Sequence, residues 1–194
     1  MNKHQKLDSI FEKDKKFKEA IGAFIIAFSE LESGLAYLGS LTECDPRETN
    51  NYLLTHIGNT FERKVKILTD FIDGNLTELK SIWDKLKIEI GRLNRERRFI
   101  VHGITQYFLP NESITTNIKD GKKLSSKKLT ISCINKLTKQ LHHLNSGKNG
   151  INGEFRILFT KTRINKWNEL VNDDAKIVYR VNNKIESDWK GKEK

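Results

Sequence analysis

Proline, cysteine and methionine are scarce in this chain: its 194 residues include two prolines, two cysteines and one methionine. The prolines, Pro46 and Pro110, both fall at breaks between patterned segments. Cys44 and Cys133 lie far apart and form no CxxC pair, which argues against a disulfide framework and for a reduced, cytoplasmic protein. No uninterrupted apolar run approaches the ~20 residues that span a bilayer. The start, Met1 to Asp8, is polar and lacks the apolar segment of a signal peptide, so no membrane partner is expected. Several chemistries are missing as well. HExxH and Cys/His zinc spacings are absent, as are the Walker loop, GxGxxG and GxSxG. His142 and His143 are adjacent and would point ~100° apart on a helix, which is no bidentate metal site. No metal and no cofactor is expected.

What the chain does have is charge, unevenly placed. Residues 1–118 contain 17 Lys/Arg and 17 Asp/Glu, whereas residues 119–194 contain 18 and 8 and carry the whole net charge of +10. A basic half suits a polyanion, most simply nucleic acid, and equally suits a lysine-rich soluble surface.

The apolar residues recur at helical spacing. Ile21, Phe24, Phe28, Leu31, Leu35 and Leu38 step by three and four, and Ile25 widens the stripe. Residues 1–19 alternate in charge and read as a lead-in helix or a frayed start. Asp45-Pro46 marks a break, and Arg47 to Ile57 fits a short helix. Thr60 caps a second main helix through Phe61, Val65, Leu68 and Phe71 or Ile72, ended by Asp73-Gly74-Asn75. Thr77 is a cap candidate for a long third helix through Leu79, Ile82, Trp83, Leu86, Ile90, Leu93 and Ile100. Gly103 would stop that helix in the left-handed conformation. Residues 104–118 read as a hairpin turning at Pro110-Asn111-Glu112, with a second turn at Asp120-Gly121. Ile131, Ile134, Leu137, Leu141 and Leu144 give the fourth main helix, followed by a flexible break at 146–150. Beyond it, Phe155 to Phe159 fits strand or helix, Ile164 to Val171 a short helix and Ile177 to Val181 a strand; the last residues, 190–194, should be disordered.

The expected fold is mainly α, a four-to-five-helix bundle with a small β-hairpin between the third and fourth main helices. Residues 1–150 would form the bundle, with the hairpin at 104–130. Residues 151–194 would be a basic C-terminal extension packed on it.

The strongest functional signal is Arg95-Glu96-Arg97-Arg98-Phe99-Ile100-Val101-His102-Gly103, at the end of the third helix. Arginine is a permanent planar cation suited to phosphate oxygens, and histidine both takes and gives a proton near neutral pH. Cutting RNA without a metal needs a base for the 2′-hydroxyl, an acid for the leaving 5′-oxygen and positive charge on the five-coordinate phosphate. Acid and base act on opposite sides of phosphorus, so one histidine per chain is too few. A two-fold homodimer would bring two His102 and two Arg97 into one cleft. DNA lacks the 2′-hydroxyl and would not be cut by this route. Arg97 lies on the apolar stripe, where an unpaired charge is costly. Asn94, Arg98 and His102 share the adjacent face at i, i+4 and i+8.

The run Arg97 to Gly103 resembles the R-x(4–6)-H signature of the HEPN superfamily, small helical bundles that include metal-independent endoribonucleases of toxin–antitoxin and defence systems. Phe24 to Glu32 is similar to the first helix of some bacterial members, and the resemblance covers roughly residues 18–145. Arg97 and Arg95 both satisfy the spacing; the position of Arg97 on the stripe favours it. Many catalytic members carry Asn, Asp or His directly after the arginine, where this chain has Arg98. The resemblance implies a homodimeric endoribonuclease and a possible antitoxin protein as partner. His102 would be general acid/base and Arg97 would stabilise the phosphorane, with Arg95, Arg98 and Asn94 binding phosphate. Glu32, beside the first helix's seam, either orients the arginines or is a solvated flank residue. Lys122, Lys123, Lys127 and Lys128, close in sequence to Tyr107 and Phe108, either hold RNA by charge and stacking or protect a sheet edge. The alternative is a non-catalytic HEPN-like module that binds RNA or a protein partner.

Overall fold

The computed structural model describes residues 3–43, 49–108, 113–120 and 123–190. The predicted breaks at Asp45-Pro46 and Pro110 to Glu112, together with Arg47, Gly121, Lys122 and residues 191–194, lie outside the described residues. The elements are α1 (Lys3–Ser40), α2 (Thr49–Gly58), α3 (Phe61–Asn75), a 3₁₀ turn (Thr77–Leu79) and α4 (Lys80–His102). Strands β1 (Ile104–Phe108), β2 (Ser113–Asp120) and β3 (Lys123–Thr130) follow, then α5 (Ile131–Ser146) and α6 (Glu154–Lys190). The chain is mainly helical, with a small antiparallel β element between α4 and α5, as the patterning predicts.

The core is the meeting of the predicted seams. Phe24, Phe28, Leu31, Leu35 and Leu38 of α1 are buried against Leu68 and Ile72 of α3, Trp83, Ile90 and Leu93 of α4, and Ile134 and Leu141 of α5. Each such side chain contributes about 1.5–3 kcal/mol by leaving water. α1 is one continuous helix rather than a frayed start. It contains an 18-residue window with mean hydropathy 1.4, enough by length and composition to cross a membrane, and 44% of that window is buried in the bundle. Ile25 does not widen the core stripe. It stays 40% exposed, because it sits about 100° from Phe24 on the far side of the seam.

Helix starts follow the predicted caps in part. The Thr60 hydroxyl accepts from the Arg63 N–H at 3.3 Å; Thr130, which the patterning does not single out, caps α5 by accepting from the Cys133 N–H at 3.1 Å. Thr77 is not a cap: α4 grows directly out of the 3₁₀ turn, with no side-chain cap bond at its start. The break after α5 is an ordered turn rather than a flexible one. The Ile151 N–H donates to Leu144 O at 2.8 Å, the Asn152 N–H donates to Asn145 O at 2.8 Å, and Asn149 takes φ 61°.

Residues 155–159, open between strand and helix, are helical and run on into 164–171 as one helix. The strand expected at 177–181 is corrected: that stretch is helical too. The run Ile177-Val178-Tyr179 suits either state locally. α6, however, is already nucleated by Phe155 and Phe159, and no Gly or Pro occurs between 154 and 190 to stop it. Phe155 stacks on Trp83 and Phe159 meets Phe71, with centroids 5.9 and 6.2 Å apart. The β element has a third strand beyond the predicted hairpin. β2 lies in the middle, with Tyr107 opposite Ile114 and Ile114 opposite Leu129.

Candidate functional site: the C-terminal half of α4

α4 carries different neighbours on each side as it leaves the core. Leu93 and Ile100 hold it to the bundle. On one flank Asn94 donates to Glu62 of α3 at 3.1 Å. On the other, Lys127 of β3 pairs with Glu96 and lies over the Phe99 ring, 5.7 Å from its centroid. The sheet is therefore a brace for the last turns of α4.

Arg97 falls on the inner stripe, as its spacing from Leu93 requires. Its guanidinium lies over the Phe28 ring at 4.9 Å and reaches Glu32 of α1 at 3.8 Å. Glu32 also faces Lys64 of α3 at 4.0 Å. One carboxylate thus stands between two cations from two helices. Lys64 is nearly buried, with 7% side-chain exposure, while Arg97 keeps 27%. Arg97 is anchored by a ring and a carboxylate and still reaches water.

His102 is the last residue of α4 and is exposed. Gly103 stops the helix, though not in the left-handed conformation: its φ −71° and ψ 137° are extended and lead straight into β1. Its glycine character answers a different need. A Cβ there would sit 2.5 Å from Phe99 O and 2.8 Å from Thr116 Cβ, so the strand can leave α4 only where no side chain intervenes. Asn94, Arg98 and His102 follow one another along a continuous helix face, and Arg95 is exposed beside them. His102 comes five positions after Arg97, which is roughly 140° around the axis and 7.5 Å along it. Within one chain the two diverge.

The structure separates Lys123 from the aromatics, whereas Lys128, opposite Thr115, stands one register position from Tyr107. Asp120 is opposite Lys123 at one end of the sheet, whereas Phe108 is opposite Ser113, itself opposite Thr130, at the other. Seven strand residues, roughly 24 Å, separate Lys123 from the register of Phe108. Lys123 is exposed at the end of the sheet where α4 enters.

Sequence reasoning missed a second polar cluster, where α1, α2 and α6 meet. His56 is buried and its Nε2 lies 2.9 Å from Glu43 Oε1. A Cβ on Gly39 would stand 2.5 Å from His56 Nδ1, so the ring fits only against a glycine. Arg163 of α6 is buried; it donates to Leu41 O at 3.1 Å and Glu43 O at 2.8 Å and lies over Phe71 and Trp167. Asn145 of α5 donates to Ala27 O at 2.9 Å in the core. Only the apolar-face position of Arg163, four residues after Phe159, hints at its burial in sequence. These groups tie the ends of helices together.

The α4 end thus combines an anchored, water-accessible guanidinium, an exposed imidazole and further cations on one helix. Such a set can bind phosphate oxygens and move a proton, given a second copy to complete it. Comparison with known protein families, with curated proteins and with solved structures finds no match for this chain.

Proposed function

We propose that this protein is a metal-independent endoribonuclease of HEPN type, acting in the cytoplasm as a homodimer in a toxin or defence system. The observation that carries the reading is Arg97: a cation on an apolar stripe, held by Glu32 and Phe28 and open to water on a helix that ends in exposed His102. In the reaction, one His102 removes the proton of the 2′-hydroxyl, whose oxygen attacks the adjacent phosphorus. The bond to the 5′-oxygen breaks and that oxygen takes a proton from the second His102. The product is a 2′,3′-cyclic phosphate. Arg97 stabilises the charge on the five-coordinate phosphorus, and Arg95, Arg98 and Asn94 hold neighbouring phosphates. The divergence of Arg97 and His102 within one chain supports a site completed across a two-fold axis.

The test is RNA cleavage by purified protein in EDTA, with end groups identified by mass spectrometry. Cyclic phosphate ends, lost in both His102→Ala and Arg97→Ala, are expected. Equal cutting by wild type and His102→Ala overturns the catalytic assignment. A second reading, a non-catalytic module that binds RNA or an antitoxin-like protein, is favoured by the existing pairing of Arg97 with Glu32. It predicts RNA binding without cutting.

A further inference from the structure

Several lysines on this surface are paired. Lys16 meets Glu12, Lys66 meets Asp70, Lys80 meets Asp73 and Asp84, Lys87 meets Asp84, and Lys166 meets Glu78. The crevice between α4 and α5 gathers lysines without such partners. It consists of two adjoining hollows of about 250 and 390 Å³ that share Glu89, His143 and Leu144. Lys85 and Lys148 line the first, and Lys136 and Lys139 line the second. All four are exposed, and none has an ion pair or hydrogen bond among the described residues. The acid in the lining, Glu89, is already held by Arg92 at 2.8 Å. The floor is apolar, formed by Leu86 and Leu144.

Four exposed ammonium groups around one crevice create a local positive field that a polyanion can neutralise. The crevice also has a direction. Arg92, where it closes against Gln140 of α5, begins a row on α4 that continues through Arg95 to Arg98 at three-residue steps. Such a row winds about the helix by roughly 60° per step and carries cations from the crevice to the face of His102.

We propose that the α4–α5 crevice binds the phosphodiester backbone of single-stranded RNA outside the cut site, with phosphates on the lysine rim and bases on the apolar floor. The proposal rests on the RNA reading above and names the path of the substrate. It predicts recognition of phosphate rather than of sequence, so single-stranded DNA should bind the crevice as RNA does without being cut.

The experiment measures binding of a labelled single-stranded RNA, and of DNA of the same sequence, by fluorescence anisotropy across a salt series. Lys85→Glu/Lys136→Glu/Lys139→Glu is compared with wild type and with Lys16→Glu/Lys66→Glu, which alters paired lysines elsewhere. The crevice variant should lose roughly tenfold or more in affinity for both strands, and its log–log salt slope should fall by about 2, since each single-strand phosphate contact contributes about 0.7. The control should bind as wild type, and thermal melting should show all three proteins folded. Unchanged affinity and slope in the crevice variant overturn the inference, even where His102-dependent cutting persists. Loss of binding in the crevice variant of a protein that never cuts RNA supports the crevice and overturns the nuclease reading instead. Binding of neither nucleic acid by wild type overturns the crevice. Displacement of RNA by poly-glutamate at equal charge concentration also overturns it, by assigning the crevice to an acidic protein segment.

Discussion

Arg163 and Arg97 are two arginines in similar settings with different outcomes. Each leaves an apolar helix face and lies over aromatic rings, Phe71 and Trp167 for one and Phe28 for the other. Arg163 is enclosed, and its guanidinium donates to the carbonyls of Leu41 and Glu43 at the end of α1. Arg97 reaches a single carboxylate at 3.8 Å and retains exposure. A buried guanidinium whose donors end on backbone carbonyls is a structural tie, because removing it strands those carbonyls. One that keeps an edge towards water can still meet an external anion. The contrast makes Arg163 a tie between helix ends and leaves Arg97 with an edge open to water.

The largest expected effect tests the Arg97 side. Arg97→Ala should reduce RNA cleavage by roughly 10²–10³, the typical loss of one transition-state donor. Its cost to stability, read from the urea midpoint, should be no more than about 1 kcal/mol, because a partly exposed ion pair contributes little. A large stability loss with intact cleavage would make Arg97 a second tie and erase the contrast. Arg163→Ala should show the opposite pattern. It should destabilise the fold by about 3 kcal/mol, from two stranded carbonyls and a cavity, while cleavage per folded molecule stays the same. Gly103→Ala sharpens the comparison at the joint between α4 and β1. Its Cβ would press on Phe99 O and Thr116, so chemical denaturation should show about 1–3 kcal/mol lost. Thr130→Ala, which removes the cap of α5 next to the crevice, should cost about 1 kcal/mol in the same measurement.

The smallest effect concerns pH. The Asp84 carboxyl is held below its ordinary range, first by its hydrogen bond with Lys87 and further by the charges of Lys87 and Lys80. A lowered carboxylate pKa stabilises the fold above the ordinary carboxylate range, and that contribution is lost as pH falls through the lowered value. Lys80 is raised, first by its hydrogen bond to Asp73. Its contribution is present below the ordinary lysine range and is lost as pH rises through the raised value. Both groups are exposed, so NMR titration should detect the shifts while the unfolding midpoint moves little.

Much of this arrangement was legible in the sequence. The seams Phe24 to Leu38 and Leu79 to Ile100 predicted α1 and α4, because a stripe at steps of three and four can be buried in only one way. Thr60 was legible as a cap because its hydroxyl bonds three residues ahead, within one turn. Ile177 to Val181 was misread because β-branched residues suit both states locally, and only the helix already running from Phe155 decides between them. Gly103 was read as a left-handed stop because the tight approach of Thr116 from β2 is invisible in a linear chain. Of the lysines close in sequence to Tyr107 and Phe108, the strand register sends Lys123 to the opposite end and keeps Lys128 one position from Tyr107, a sorting that sequence distance does not encode.

The sequence by itself determined the main helices up to α5, the place of Arg97 on an inner stripe and the approach of α4 to His102, since each follows from short-range periodicity. Tertiary structure alone decided that Glu32 stands between Arg97 and Lys64, that Arg163 is enclosed by the end of α1, and that four lysines from α4, α5 and the turn after α5 line one crevice. Those pairings join residues distant in the chain. Which cation is paired inside the fold and which stays exposed therefore depends on how the helices pack, and no local pattern encodes it.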